Sequence, residues 1–137
     1  MTDYTAEELV DTMIARFGRD EDTWSFTCPS CGDRATLVDF RRALAEHPRT
    51  RSGTPVAAED IHGQECIGRT LGALNRTDES QARLRNQGKA RGCTWAAYGL
   101  IPGPNFLIRP DGRRVPMFAP STVLAPVETV VPTGGVL

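Results

Sequence analysis

The tightest constraint on this chain is the placement of its cysteines. Cys28-Pro29-Ser30-Cys31-Gly32 is a five-residue knuckle, and the other two cysteines, Cys66 and Cys93, stand singly downstream. A C-x-x-C turn aims two sulfurs at one point, Pro29 stiffens it, and Gly32 can take the positive φ that turns backbone N–H groups toward the sulfurs. The start, Met1-Thr2-Asp3-Tyr4, has no basic stretch followed by an apolar run, so a reducing cytoplasm is the expected compartment. There, four cysteines point to metal rather than disulfide, and the expected cofactor is one structural Zn2+ on Cys28, Cys31, Cys66 and Cys93. A rival set replaces one cysteine by His62, which precedes Cys66 by one helical turn; His47, at an expected helix end, is a weaker rival. The bland alternative makes Cys66 and Cys93 buried small hydrophobes.

At 137 residues the chain suits one domain, small enough for a metal staple to matter to its stability. Ten prolines and thirteen glycines point to many loops. No apolar run approaches the ~20 residues that cross a bilayer, so no membrane partner is expected. The formal net charge of −1 hides an asymmetry, because residues 1–22 carry seven acids against Arg16 and Arg19. Fifteen of the sixteen basic residues are arginine, with Lys89 the only lysine, and arginine is the side chain suited to bidentate contacts with phosphate or carboxylate.

Local signals give an α+β order. Thr5-Ala6-Glu7-Glu8 is a capping box that opens an amphipathic helix over 5–17, closed by Gly18. Thr23 to Thr27 alternates, predicting a strand on which Trp24 and Phe26 face the same way as Cys28. Thr36 and Asp39 open a second helix through Leu37, Phe40 and Leu44, which His47-Pro48 stops. Residues 48–60 read as an exposed, mobile loop. Ile67, Leu71 and Leu74 suggest a third helix weakened by Gly63, Gly68 and Gly72, and Thr77-Asp78-Glu79-Ser80 opens a short polar one. After the rigid turn Ile101-Pro102-Gly103-Pro104, residues 105–109 and 113–118 flank Pro110-Asp111-Gly112 as a hairpin, with Pro116 placing its second strand at an edge. The expected domain is 1–118, with 119–137 as a tail lacking a fold of its own.

Catalytic motifs are absent from the sequence. A zinc deaminase needs H-x-E and P-C-x-x-C, whereas Glu65 stands one place too far from His62 and the proline lies inside the knuckle at Pro29. There is no nucleophile elbow, phosphate loop or dinucleotide fingerprint, so no enzyme is expected. Candidate binding residues are basic or aromatic. Arg34, Arg41, Arg42, Arg49 and Arg51 gather around the second helix, and Arg83, Arg85, Lys89 and Arg91 form a run that can neutralise phosphates. Trp95 and Tyr98 are either core or a stacking platform for a base.

Four segments together, Arg16-Phe17-Gly18, Trp24-Ser25-Phe26-Thr27-Cys28-Pro29-Ser30-Cys31-Gly32, Cys66-Ile67-Gly68-Arg69 and Gly92-Cys93-Thr94-Trp95-Ala96-Ala97-Tyr98-Gly99-Leu100, resemble a small uncharacterised family of phages, prophages and plasmids. That family, built on a CPxCG zinc knuckle, carries a placeholder name from a Vibrio vulnificus protein. The resemblance spans roughly residues 5–118 and all four cysteines, implying a shared metal site and no established activity. The expected product is a zinc-stapled α+β domain with an amino-terminal helix, a knuckle, two or three short helices and a carboxy-terminal hairpin. Its expected role is a non-enzymatic binding module of a phage or mobile element in the cytoplasm of a bacterial host, with a host or viral protein as partner. The alternatives are a nucleic-acid-binding zinc protein, a nucleotide-sequestering protein and a virion accessory component.

Overall fold

The computed structural model describes residues 2–99 and 103–122. It is a mixed α+β arrangement of four helices and small sheets around the four cysteines. Both predicted capping boxes form. Thr5 Oγ1 accepts the Glu8 N–H at 3.1 Å while Glu8 Oε1 accepts the Thr5 N–H at 2.8 Å, starting helix α1 at Ala6–Phe17. Thr36 and Asp39 exchange the same pair of bonds at the head of helix α2, Leu37–Glu46. Helix α3 is a single turn, Ala58–Ile61, and Thr77 caps helix α4, Asp78–Asn86.

Three strands form the first sheet: β1 (Thr2–Thr5), β6 (Asn105–Ile108) and β7 (Arg114–Met117), in the order β1-β6-β7. The hairpin β6–β7 and the edge position of Pro116 are as the sequence predicts. Strand β1 is an addition. It runs parallel to β6, pairing Thr2 with Asn105 and Thr5 with Ile108, and Asn105 Oδ1 accepts the Thr2 N–H at 2.9 Å. Its polar sequence gives no alternation signal, because the pairing comes from a partner about a hundred residues away.

The second sheet has the order β3-β2-β8, made by Arg34–Thr36, Ser25–Thr27 and Ala119–Pro120. The central strand β2 is shorter than the predicted 23–27, since Glu21–Thr23 is a 3₁₀ turn capped by Asp20. Strand β8 lies past the expected boundary at 118. Ala119 pairs with Thr27, and Ser121 is buried with its hydroxyl 2.8 Å from that of Thr27, so the ordered pairing continues past 118. The rest of the expected tail, 123–137, and residues 100–102 of the predicted rigid turn lie outside the described residues.

Two other expectations change. Within 48–60 a small hairpin forms from β4 (Thr50–Arg51) and β5 (Thr54–Pro55), turned by Ser52 and Gly53 at φ +52 and +81. The third helix does not form. Ile67–Arg69 and Ala73–Asn75 are separate 3₁₀ turns, broken at Gly72, whose φ is +104. Met13, Phe26, Cys28, Cys66 and Phe118 share one core cluster, while Leu37, Phe40, Ile61 and Ile67 anchor a second under α2. The cysteines therefore sit inside the apolar packing.

Candidate metal centre

Each cysteine is delivered by tight backbone geometry. In the knuckle the Gly32 N–H donates to Cys28 O at 2.9 Å, the Cys28 N–H donates to Asp33 O at 2.9 Å, and Gly32 takes the predicted positive φ, +81. Cys66 and Cys93 come from two segments lying side by side: the Cys66 N–H donates to Trp95 O at 3.0 Å and the Ala97 N–H to Gln64 O at 2.8 Å. Backbone meets backbone there. A Cβ on Gly68 would lie 2.4 Å from Cys93 N, and one on Gly92 would lie 2.5 Å from Gly68 N and 2.9 Å from Cys66 Sγ. Only glycine at both positions lets Cys66 and Cys93 reach one centre.

Side chains then lock the arrangement. Arg91 Nε donates to Asp33 Oδ1 at 2.7 Å and its Nη2 to Asp39 Oδ2 at 3.2 Å, tying the approach to Cys93 to the knuckle and to α2. From α4, the buried Gln81 donates to Gly92 O at 3.1 Å and Arg85 Nη1 to the same oxygen at 3.0 Å. Arg69 Nη1 donates to Thr94 O at 2.7 Å.

The four sulfurs converge, all within 4.8 Å of one another. Cys28 Sγ lies 3.7 Å from Cys93 Sγ, and Cys31 Sγ lies 3.6 Å from Cys66 Sγ. A tetrahedral metal with bonds of about 2.3 Å to sulfur sets its ligands about 3.8 Å apart, whereas a disulfide would need about 2.05 Å. The donor set therefore fits a metal ion and leaves all four thiols free of disulfides. Backbone donors support negative sulfur, with the Cys93 N–H donating to Cys66 Sγ at 3.2 Å and the Trp95 N–H to Cys93 Sγ at 3.4 Å. Without a cation the thiols divide. The Cys31 thiol takes Cys28 from 9.0 down to about 7, and the Cys28 thiol takes Cys93 down further; Cys31 and Cys66 are pushed up, each chiefly by the thiol of Cys28. A bound cation would favour the thiolate at all four.

His62 is elsewhere. Its ring stands edge-on to Phe26 and Phe40, at 4.9 and 5.6 Å between centroids, with Nε2 3.2 Å from Ala35 O. Burial lowers its pKa from 6.5 to about 4, so it is a neutral core histidine. The turn Ala58–Ile61 ends before it, and His62 and Cys66 share no helical face. His47 caps the end of α2, and neither histidine belongs to the sulfur cluster.

The expected binding residues scatter. Arg41 pairs with Asp22 and Glu59, and Arg91 with Asp33 and Asp39, so both spend charge within the fold. Arg85 is committed to Gly92 O, while Arg42, Arg83 and Lys89 are exposed or partly exposed with no acidic partner among the described residues. Trp95, partly buried, packs against the core with its ring 5.6 Å from Phe118, whereas Tyr98 stays 46% exposed. The residue the sequence did not single out is Glu65. Its carboxylate is fully buried and gathers Arg49, Arg51 and Arg69, with the Tyr98 hydroxyl donating to Oε2. Burial alone would raise its pKa, but the Arg49 and Tyr98 bonds outweigh that and hold it below its ordinary 4.5. In sequence Glu65 appears only as a misplaced member of a deaminase motif, and its three arginines share no regular spacing.

No helix among the described residues is long and apolar enough to cross a membrane. No curated protein and no solved structure matches the chain. The VVA0879-like family model matches residues 5–121, a span that includes all four cysteines and their supporting glycines, and the chain belongs to the VVA0879-like family.

Proposed function

We propose that Cys28, Cys31, Cys66 and Cys93 hold a structural zinc ion, and that the stapled domain is a non-enzymatic binding module of a phage or other mobile element. It would act in the host cytoplasm by contact with a host or viral macromolecule. The observation that carries this reading is the closed four-sulfur cluster. An all-thiolate tetrahedral set selects zinc over hard cations, and four protein ligands leave no vertex for the water that a catalytic zinc activates. Two of the candidate phosphate contacts, Arg41 and Arg91, already face carboxylates, which supports a protein partner over nucleic acid.

Elemental analysis of purified protein tests the metal. About one zinc per chain is expected in wild type and a loss in Cys93→Ser, whereas unchanged zinc in that variant would remove Cys93 from the site. Affinity capture from expressing cells, read for both protein and nucleic acid, tests the role. One stoichiometric protein is the expected recovery. Recovery of RNA or DNA, with salt-dependent mobility shifts, would overturn it in favour of a nucleic-acid-binding zinc protein.

A further inference from the structure

Glu65 collects more positive charge than it can neutralise. Arg49 Nη1 lies 2.8 Å from its Oε1, Arg51 Nη2 lies 3.2 Å from Oε2, and Arg69 Nε lies 3.6 Å from Oε1. One guanidinium would satisfy a buried carboxylate, so two positive charges are surplus. Among the described residues no other carboxylate forms an ion pair with any of the three. Asp60 lines the same depression and forms no ion pair with the three, its Oδ2 accepting the Ala57 N–H at 2.9 Å; its negative charge leaves a smaller positive surplus on that face.

The donors divide unequally. Arg49 also donates to Thr70 Oγ1 at 2.9 Å and Arg69 to Thr94 O at 2.7 Å, and both side chains are mostly buried. Arg51 commits only Nη2, and its side chain is 55% exposed on the β4–β5 hairpin. It borders an open depression of about 320 Å³. The guanidinium carbons of Arg51 and Arg69 each lie 5.9 Å from the centre of the half-exposed Tyr98 ring, which its bond to Glu65 holds in place.

We propose that this cluster binds a phosphate monoester. The fixed positive surplus favours a group that carries about −2 near neutral pH over a carboxylate, which carries only one. Arg51 presents the planar fork that fits phosphate oxygens, and Tyr98 supplies a flat wall beside it. Inorganic phosphate and a nucleoside monophosphate share this chemistry. The site goes beyond the binding-module reading, which stands without it.

Calorimetric titration of the zinc-loaded chain at low ionic strength with inorganic phosphate, and separately with adenosine 5′-monophosphate, tests the site. Saturable binding is expected, weakened about tenfold or more by Arg51→Ala and left unchanged by Arg42→Ala. Tighter binding of the nucleotide than of phosphate assigns a role to the Tyr98 wall, and equal affinities assign the site to the anion alone. Zinc content measured on the same samples separates loss of this site from loss of the metal centre. No saturable binding of either probe at about 10 mM, or an Arg51→Ala protein binding as wild type does, overturns the proposal.

Discussion

Replacing Gly68 by alanine adds one methyl group at the place where the Cys66 and Cys93 segments touch. The new Cβ would lie 2.4 Å from Cys93 N and 2.5 Å from Cys93 O, against ordinary contacts beginning at 3.4 Å. The obstacle is backbone, which cannot swing aside as a side chain can, so the segments must part by roughly 1 Å. Zinc–thiolate bonds tolerate only about 0.2 Å, and at least one sulfur leaves the tetrahedron. Overpacking of this kind costs about 3 kcal/mol, and zinc affinity falls about a hundredfold, which is the same energy read as binding. Gly32→Ala is the matched control. Nothing lies within 4 Å of its added Cβ, so it bears only the cost of holding φ +81, about 1 kcal/mol. Urea midpoints by circular dichroism, with zinc competition against a chromophoric chelator, read both quantities. If Gly68→Ala keeps zinc within about threefold of wild type while Gly32→Ala loses more, steric closeness of the two segments is not what builds the centre.

Chelation should unfold the protein. Structural zinc contributes about 10–16 kcal/mol at neutral pH, comparable to the whole stability of a small domain, so circular dichroism of chelator-treated protein should lose its folded signal and regain it with added zinc. His62 gives a pH signature. Its folded value of about 4 lies below the ordinary 6.5, so its contribution is complete above pH 6.5 and is lost as pH falls toward 4. That contribution is roughly 3 kcal/mol in full, about 2 kcal/mol of it between pH 7 and 5, and His62→Gln should flatten this part of the stability–pH curve, measured as urea midpoints over that range. Glu65→Gln removes the carboxylate that pairs with Arg49, Arg51 and Arg69 and should cost about 2–3 kcal/mol in urea unfolding, reduced from a fully buried case because Arg51 remains solvated and the other two keep bonds to Thr70 and Thr94. Arg41→Ala, by contrast, breaks only exposed pairs and should leave the midpoint unchanged.

What the sequence makes legible here is local. Thr5 with Glu8 and Thr36 with Asp39 announce two helices because every partner in a capping box lies within three residues. Asp111 and Gly112 announce a turn for the same reason, with Asp111 Oδ1 accepting the Arg113 N–H at 3.0 Å. The clustering of the four sulfurs was legible through chemistry, since a C-x-x-C knuckle with two further cysteines is the spacing expected to converge on one metal ion. What failed was non-local. Ile67, Leu71 and Leu74 keep helical spacing, yet Gly68 must meet the Cys93 backbone and Gly72 turns left-handed, so tertiary demand breaks the helix. Polar Thr2 and Asp3 become a strand only because β6 offers an edge, and Pro120 becomes one only because β2 does. The histidine looked like a ligand by spacing, but spacing does not reveal that Phe26 and Phe40 enclose it.

The parallel pairing of β1 with β6 also sets an order of events during synthesis. The last cysteine of the cluster is Cys93, so a growing chain has all four sulfurs that could hold a metal ion before Asn105 is made. Strand β1 and the helix that follows it are made well before their partner and must wait for it, because β6 arrives about a hundred residues later. Long-range pairing of this kind is slow. Metal capture can therefore precede closure of the sheet, leaving the amino-terminal segment as the final piece to dock. A chain stopped between Cys93 and Asn105 would keep its full sulfur set and lack a seat for its first strand.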